Sequence, residues 1–263
     1  MPRQIEAGGI SATLLPRAAY DVAYTPDRTV AGFAFDIQTG THAFASDRVR
    51  PFITVPGSLA LTPRGCDIKS RSDTGGEYLT VSVMPGREKQ VAGDAAIGRP
   101  ERYSNAAHGF AGKWARALRA SLLRPCADQA EVESFAALLY EAAWQARLPS
   151  GKPATSITTR RLRLLNELVE ERLSGELTVA DMAKAVGLST SFFIRAFAAA
   201  TGTTPHGYLM ERRLEKVRYA LALRDTKIAD VALSCGFSSQ AHMTAAFSRQ
   251  FGISPKRFQQ MVA

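Results

Sequence analysis

Ile228 to Phe258 reads IADVALSCGFSSQAHMTAAFSRQFGISPKRF, and some fifty residues upstream Val179 to Leu209 reads VADMAKAVGLSTSFFIRAFAAATGTTPHGYL. At an offset of 49, Ala180 aligns with Ala229, Asp181 with Asp230, Ala183 with Ala232, Gly187 with Gly236 and Ser189 with Ser238. One extra residue in the second copy then moves the offset to 50, pairing Ala196 with Ala246, Phe197 with Phe247, Gly202 with Gly252 and Pro205 with Pro255. The repeated positions are small residues where helices approach, glycines at turns, an aromatic anchor and a helix-breaking proline.

Each copy reads as a helix, a tight turn and a second helix. In the first, Thr178 and Asp181 have the spacing of a capping box. Val179, Met182, Ala183 and Val186 form the buried stripe, and Gly187 supplies the permissive backbone of the turn. Ser189 then caps a helix whose Phe193 and Phe197 point inward at i and i+4. The second copy repeats this with Ile228, Val231, Ala232, Cys235, Gly236, Ser238 as cap, Met243 and Phe247. Cys235 falls on the apolar stripe and reads as inert core. A helix–turn–helix presents its second helix to the major groove of DNA. Between the copies, His206 to Asp225 reads as one continuous helix of about 30 Å. That is close to the ~34 Å between successive major grooves on one side of a duplex. A rigid strut thus holds two reading heads about one helical turn apart.

Residues from about 160 to 260, and above all the two quoted segments, resemble the DNA-binding domain of the AraC/XylS family of bacterial transcription regulators. The second segment carries the family signature in Gly236-Phe237, Phe247, Phe251-Gly252 and Ser254-Pro255. The resemblance implies a seven-helix domain that binds two adjacent major grooves of double-stranded DNA, beside a promoter where it can touch RNA polymerase. It also places Ser191, Ile194 and Arg195 on the outward face of the first reading helix, and Gln240, His242 and Thr244 on that of the second. Arg195 suits a bidentate pair with guanine and Gln240 a pair with adenine. His242 is either a base or phosphate contact or simply exposed. Lys256, Arg257 and the helix N-termini suit phosphate anchoring. Ala245 stands where the family usually carries arginine, which predicts a weaker base contact in the second half-site. Phe192, Phe193 and Phe197 read as core rather than as stacking platforms, with Phe192 partly exposed.

Charge agrees with a polyanion partner. The net formal charge of +9 divides unevenly: residues 1–150 carry 17 Lys/Arg against 15 Asp/Glu, residues 151–263 carry 16 against 9. A solvated basic surface would give the same balance. Three scattered cysteines with no CxxC pair exclude a disulfide framework and a cysteine zinc site. No apolar run is long enough to span a bilayer, and Met1-Pro2-Arg3-Gln4 lacks the apolar core of a secretion signal. The expectation is a cytoplasmic protein with no membrane partner.

The first hundred residues read differently. Short apolar runs at Val30–Ile37, Gly57–Pro63 and Glu77–Pro85 end in Gly or Pro, as strands joined by turns do. From about Asn105 the texture is helical, and Ala130 to Leu148 places Val132, Phe135, Leu138, Leu139 and Ala142 on one face. That face packs on its own domain or forms the seam of a homodimer. Leu148 to Thr159 has two prolines, a glycine and a Ser/Thr cluster, as a linker does. The expected organisation is α+β. A cupin-like β-barrel with trailing helices, for sensing and dimerisation, occupies residues 1–147, a linker 148–159, and an all-α DNA-binding domain with two helix–turn–helix motifs 160–263.

Gly57, Pro63 and Gly65 match a G-x5-P-x-G spacing that looks like the second cupin motif, but Ile68 stands where a metal-binding cupin has histidine. His42 is the one other histidine of the strand-rich part, and no HxH pair exists. A first-row metal wants three or more protein ligands, so neither metal nor cofactor is expected. Cys66 beside Asp67 is an inert thiol more readily than a nucleophile or redox sensor. A small barrel has room for one small-molecule effector. Its candidate lining is Phe33, Phe35, Phe52 and Val81, with Arg64 or Arg71 for an anionic group. The leading expectation is an effector-responsive transcription regulator without enzymatic activity. The alternative is a cupin-type enzyme or carrier with an appended DNA-binding module.

Overall fold

The computed structural model describes residues 2–96, 100–124, 126–146, 157–223 and 226–262. Most of the expected linker lies outside them. The described residues fall into two compact units, one strand-rich and N-terminal, one helical and C-terminal.

Among the described residues the N-terminal unit holds ten strands: β1 (Arg3–Ala7), β2 (Ile10–Leu15), β3 (Tyr20–Tyr24), β4 (Val30–Ala34), β5 (Gln38–Phe44), β6 (Arg50–Thr54), β7 (Leu59–Thr62), β8 (Ile68–Ser72), β9 (Tyr78–Val83) and β10 (Tyr103–Ala106). They form two antiparallel sheets, ordered β1-β2-β9-β4-β7-β10 and β3-β8-β5-β6. Three helices accompany them: α1 (Glu88–Ala92), α2 (Ala111–Leu123) and α3 (Gln129–Gln145).

Alternation in β9 assigns the two faces of the larger sheet. Leu79, Val81 and Val83 are fully buried, and across the pairing they meet Leu14, Ala12 and Ile10 of β2. Ala31 and Phe33 of β4 share that face, opposite Val81 and Leu79. α3 covers it, burying Val132, Ala136, Leu139, Tyr140, Ala142 and Ala143. The apolar face of α3 therefore packs on its own sheet. Phe135 is half-buried and Leu138 is 36% exposed. α2 is fixed by a buried ion pair between Arg119 and Glu77, and the Arg119 guanidinium also lies 4.9 Å from the Phe35 ring. Asp36 closes the network, accepting a 2.8 Å hydrogen bond from the Glu77 amide. Two charges this deep persist because each is paired; removing either partner would leave the other buried and uncompensated.

This arrangement corrects the expected effector lining. Phe33, Phe35 and Val81 lie in the core between the larger sheet and its helices, 1%, 5% and 0% exposed. Phe33 packs toward α2, within 3.9 Å of where a side chain on Gly112 would begin. Arg64 and Arg71 are exposed, and Arg71 pairs with Asp73 at 3.3 Å. Of the set, only Phe52 lies on a face turned toward the other sheet, half-buried.

The C-terminal unit holds α4 (Thr159–Arg172), α5 (Val179–Ala185), α6 (Thr190–Thr201), α7 (Pro205–Leu221), α8 (Ile228–Ser234), α9 (Gln240–Phe251) and α10 (Pro255–Val262). These are seven helices among the described residues. Thr158 caps α4, its hydroxyl accepting from the Arg161 amide, so helix begins at the last residue of the expected linker. No helix among the described residues is long and apolar enough to cross a membrane.

Candidate nucleic-acid interface

The first copy folds as its spacing implies. The capping box is complete: the Asp181 amide donates to Thr178 Oγ1 at 3.1 Å, and the Thr178 amide donates to Asp181 Oδ2 at 3.0 Å. The Thr178 hydroxyl, donating to Asp181 Oδ2 at 2.8 Å, and after it the Thr178 amide hold the Asp181 carboxyl below its ordinary pKa. Gly187 and Gly236 both take left-handed backbone, at φ 64° and 80°. At Gly236 a side chain would also meet the Leu173 carbonyl oxygen at 2.6 Å, so glycine is required there twice over. Gly202 and Gly252 repeat the left-handed turn after each reading helix, at φ 68° and 70°.

The second copy departs in two places. Lys227 precedes α8 and offers no side-chain cap, so Asp230 has no capping box to complete. The cap of α9 is Ser239 and not Ser238: Ser239 Oγ accepts from the His242 amide at 3.2 Å. The turns superpose at the offset of 49, since the Leu188 amide reaches Ala183 as the Phe237 amide reaches Ala232, both at 3.0 Å. The inserted residue is thus Ser238, whose hydroxyl instead lies 3.3 Å from His242 Nδ1. After it the register of 50 is strict, with Phe193 and Phe197 matched by Met243 and Phe247, all 0% exposed.

α7 joins the two heads and is shorter than the sequence suggests. It starts at Pro205 behind a Thr204 cap and ends at Leu221, with Ala222 as C-cap. Thr226 Oγ1 donates to the Ala220 and Leu223 carbonyls, closing the helix end at 3.2 and 3.3 Å. Its 17 residues give about 25 Å of helix. Asp225, expected to end the helix, lies outside the described residues. Tyr208 of α7 packs on Phe197 of α6 at 5.5 Å, and α7 also meets α8, α9 and α10. Both heads therefore rest on one helix.

Burial separates structural from available charge. Arg212 is buried between Glu170 at 2.9 Å and Glu215 at 3.6 Å. Arg213 donates to the Leu173 and Gly175 carbonyls at the end of α4, and its desolvation lowers its pKa. Arg161 donates to the Val186 carbonyl at 2.9 Å. These three cations of the basic half act as internal fasteners.

The outward faces are otherwise as anticipated. Ser191, Ile194 and Arg195 are exposed on α6, with Phe192 half-buried behind them. On α9 Gln240 and His242 are exposed, Thr244 is half-buried, and Ala245 is exposed. Lys256 and Arg257 are exposed in the first turn of α10. Arg249, one turn beyond Ala245 on α9, is also exposed. Sequence reasoning passed over it, although its i+4 spacing from Ala245 was available. Cys235 is fully buried, and burial raises its thiol pKa, as an inert core thiol requires.

Residues 182–261 match the family model described as a helix-turn-helix domain. The C-terminal unit belongs to the AraC/XylS family. The chain is 35% identical over 96 residues to the probable transcriptional regulator LumQ of Photobacterium leiognathi, covering 36% of this chain and 39% of that protein. It is 34% identical over 100 residues to the transcriptional activator RhaS of Escherichia coli, covering 38% of this chain and 36% of that protein. The matches thus span about two fifths of the length of these curated relatives. Among solved structures, an AraC-type regulator from Chromobacterium violaceum is 31% identical and covers 40% of this chain and 93% of its own, with a TM-score of 0.37. The curated relatives are named as regulators of transcription.

Proposed function

We propose that this chain regulates transcription by sequence-specific binding of double-stranded DNA, with α6 and α9 entering adjacent major grooves. The supporting observation is the pair of helix–turn–helix copies mounted on α7, each with one exposed face on its second helix. In this reading Arg195 and Gln240 read bases, Ser191, Ile194, His242 and Thr244 flank them, and Lys256 and Arg257 hold phosphate. Residues 1–147 form a cupin-like domain that binds a small-molecule effector, 148–159 a linker, and 160–263 the DNA-binding domain. Contact with RNA polymerase rests on the family resemblance alone. A homodimer seam on α3 is limited to Phe135 and Leu138, because the rest of that face is buried against the sheet.

The full chain, titrated with a genomic pool of duplex DNA, should select a short sequence, with affinity falling steeply as salt rises. Binding without salt dependence or without selection would sink the reading.

A further inference from the structure

The second face of each sheet has an unusual character. In the smaller sheet, paired residues share a face, so His42 and Phe44 of β5 lie with Ser70 and Ile68 of β8 and with Tyr24 of β3. The opposite face carries Asp21, Lys69 and Arg71, all exposed, and is the solvent side. The His42 side therefore looks inward. From the larger sheet most of the facing residues are small or polar, among them Gly32, Thr13 and Thr80. Leu15, Val30 and Tyr78 are the larger ones, and the Tyr78 ring lies over Gly32, where any Cβ would collide with the hydroxyl. The inward side is not closed off. Val22 and Tyr24 stay 39% and 53% exposed, and His42, Phe44, Phe52 and Tyr78 are only half-buried.

Arg102 stands in this space. Its neighbour Tyr103 turns the other way, its hydroxyl donating to the Ala143 carbonyl of α3, which directs Arg102 inward. The Arg102 guanidinium carbon lies 3.3 Å from the centre of the Phe44 ring. Beside it, Phe44 meets His42 at 4.6 Å, and His42 stacks flat on Phe52 at 5.0 Å. Arg102 Nε is shielded from solvent with no hydrogen-bond partner, and among the described residues no carboxylate pairs with the side chain. Each other deep arginine of this unit has its acid: Arg119 has Glu77, and Arg17 has Asp36 at 3.5 Å. A guanidinium partly withdrawn from water, held by one aromatic face and lacking an anion, carries an uncompensated desolvation cost. Desolvation accordingly lowers its pKa, and Arg102 in turn helps lower that of His42, after burial. Planar, forked donors of this kind match a carboxylate.

We propose that the space between the sheets is a binding site for a small organic carboxylate, whose anionic group pairs with Arg102 while its apolar body lies against Phe44, Phe52 and Tyr78. This deepens the effector reading and rests on it only for the consequence to DNA binding. The effector is then an acid, and the residue that selects it is not among those singled out from the sequence.

Calorimetric titration of the full chain tests this with butanoate, cyclohexanecarboxylate and phenylpropanoate, their neutral amides, and inorganic phosphate. At least one carboxylate should saturate a single site, with its amide and phosphate at least tenfold weaker. Arg102→Gln should weaken that binding tenfold or more, and Arg102→Lys should recover part of it. Phe44→Leu, which keeps the cation, should also weaken it and covers the case in which Arg102→Gln does not fold. No carboxylate binding, an amide or phosphate that binds as well, or an indifferent Arg102→Gln would each overturn the proposal. DNA affinity measured alongside separates the two readings. Carboxylate binding that Arg102→Gln abolishes, with DNA affinity unmoved, keeps this site and breaks the effector reading. A ligand-dependent shift in DNA affinity that survives Arg102→Gln keeps the effector reading and overturns this site.

Discussion

The two helix–turn–helix copies agree where they are buried and diverge where they meet solvent. Phe193 and Phe197 on α6 correspond to Met243 and Phe247 on α9, all fully buried, and the four turn glycines share left-handed backbone. Outside that frame the copies part. The first has a capping box and an exposed Arg195; the second has an uncapped Lys227, an inserted Ser238 and an exposed Ala245. Packing fixes the frame because a lost methylene or a blocked turn is felt immediately. The exposed positions are free of that constraint and can specialise. The heads are equal in their frames and unequal in their exposed faces.

The largest expected effect tests the equality. Phe197→Ala and Phe247→Ala should each cost about 3–5 kcal/mol, as the loss of a fully buried aromatic does. Denaturant melts that differ widely between the two would break the symmetry of the frame. Next come the turns. Gly187→Ala meets open space and should cost about 1–2 kcal/mol for the left-handed backbone. Gly236→Ala also runs into the Leu173 carbonyl and should cost about 1–3 kcal/mol more. Equal losses would show that this second contact relaxes without penalty.

At the surface the inequality should appear in binding. Arg195→Ala should lose about 1–3 kcal/mol at one base position and relax selection there. Gln240→Ala should lose less, because no arginine supports it at Ala245. Competition with single-base operator variants would measure both, and a loss uniform over all sequences would move Arg195 to a phosphate. The smallest effect concerns the caps. Thr178→Ala should cost about 1 kcal/mol, and Lys227→Ala nearly nothing. Since the folded state holds the Asp181 pKa down, its contribution is present above the unfolded carboxylate pKa of about 4 and is lost as pH falls through the folded value. The difference between wild type and Thr178→Ala should therefore shrink in acid, and a cap effect unchanged at pH ~3 would contradict the hydrogen bonds from Thr178.

Legibility followed the range of the interactions. The helices, their glycine turns and most of the outward-facing positions of the C-terminal unit could be read locally. The error at Ser238 was one residue wide, because an insertion inside a turn shifts the cap without changing its chemistry. In the strand-rich unit, alternation showed that β9 has two faces but not which one meets α3. Val81 suggested an inward lining, yet with Leu79 and Val83 it faces the helices, and Tyr78, Thr80 and Ser82 face the other sheet. Arg102 gave no periodic signal, standing just before a four-residue strand that contains Asn105 at φ 58°.

What the sequence determined by itself is the tandem recognition module. Capping spacing, the 3.6-residue stripe and left-handed glycines act within a turn or two of chain, and they repeat, so one copy corroborates the other. What only the tertiary structure decided is the inside of the N-terminal unit. Its faces are set by pairings such as Ile10 with Val83 and Tyr20 with Ser72, between residues far apart in the chain. Only after those strands meet does one side receive the helices, and only then does Arg102 come to stand over Phe44 without an acid beside it.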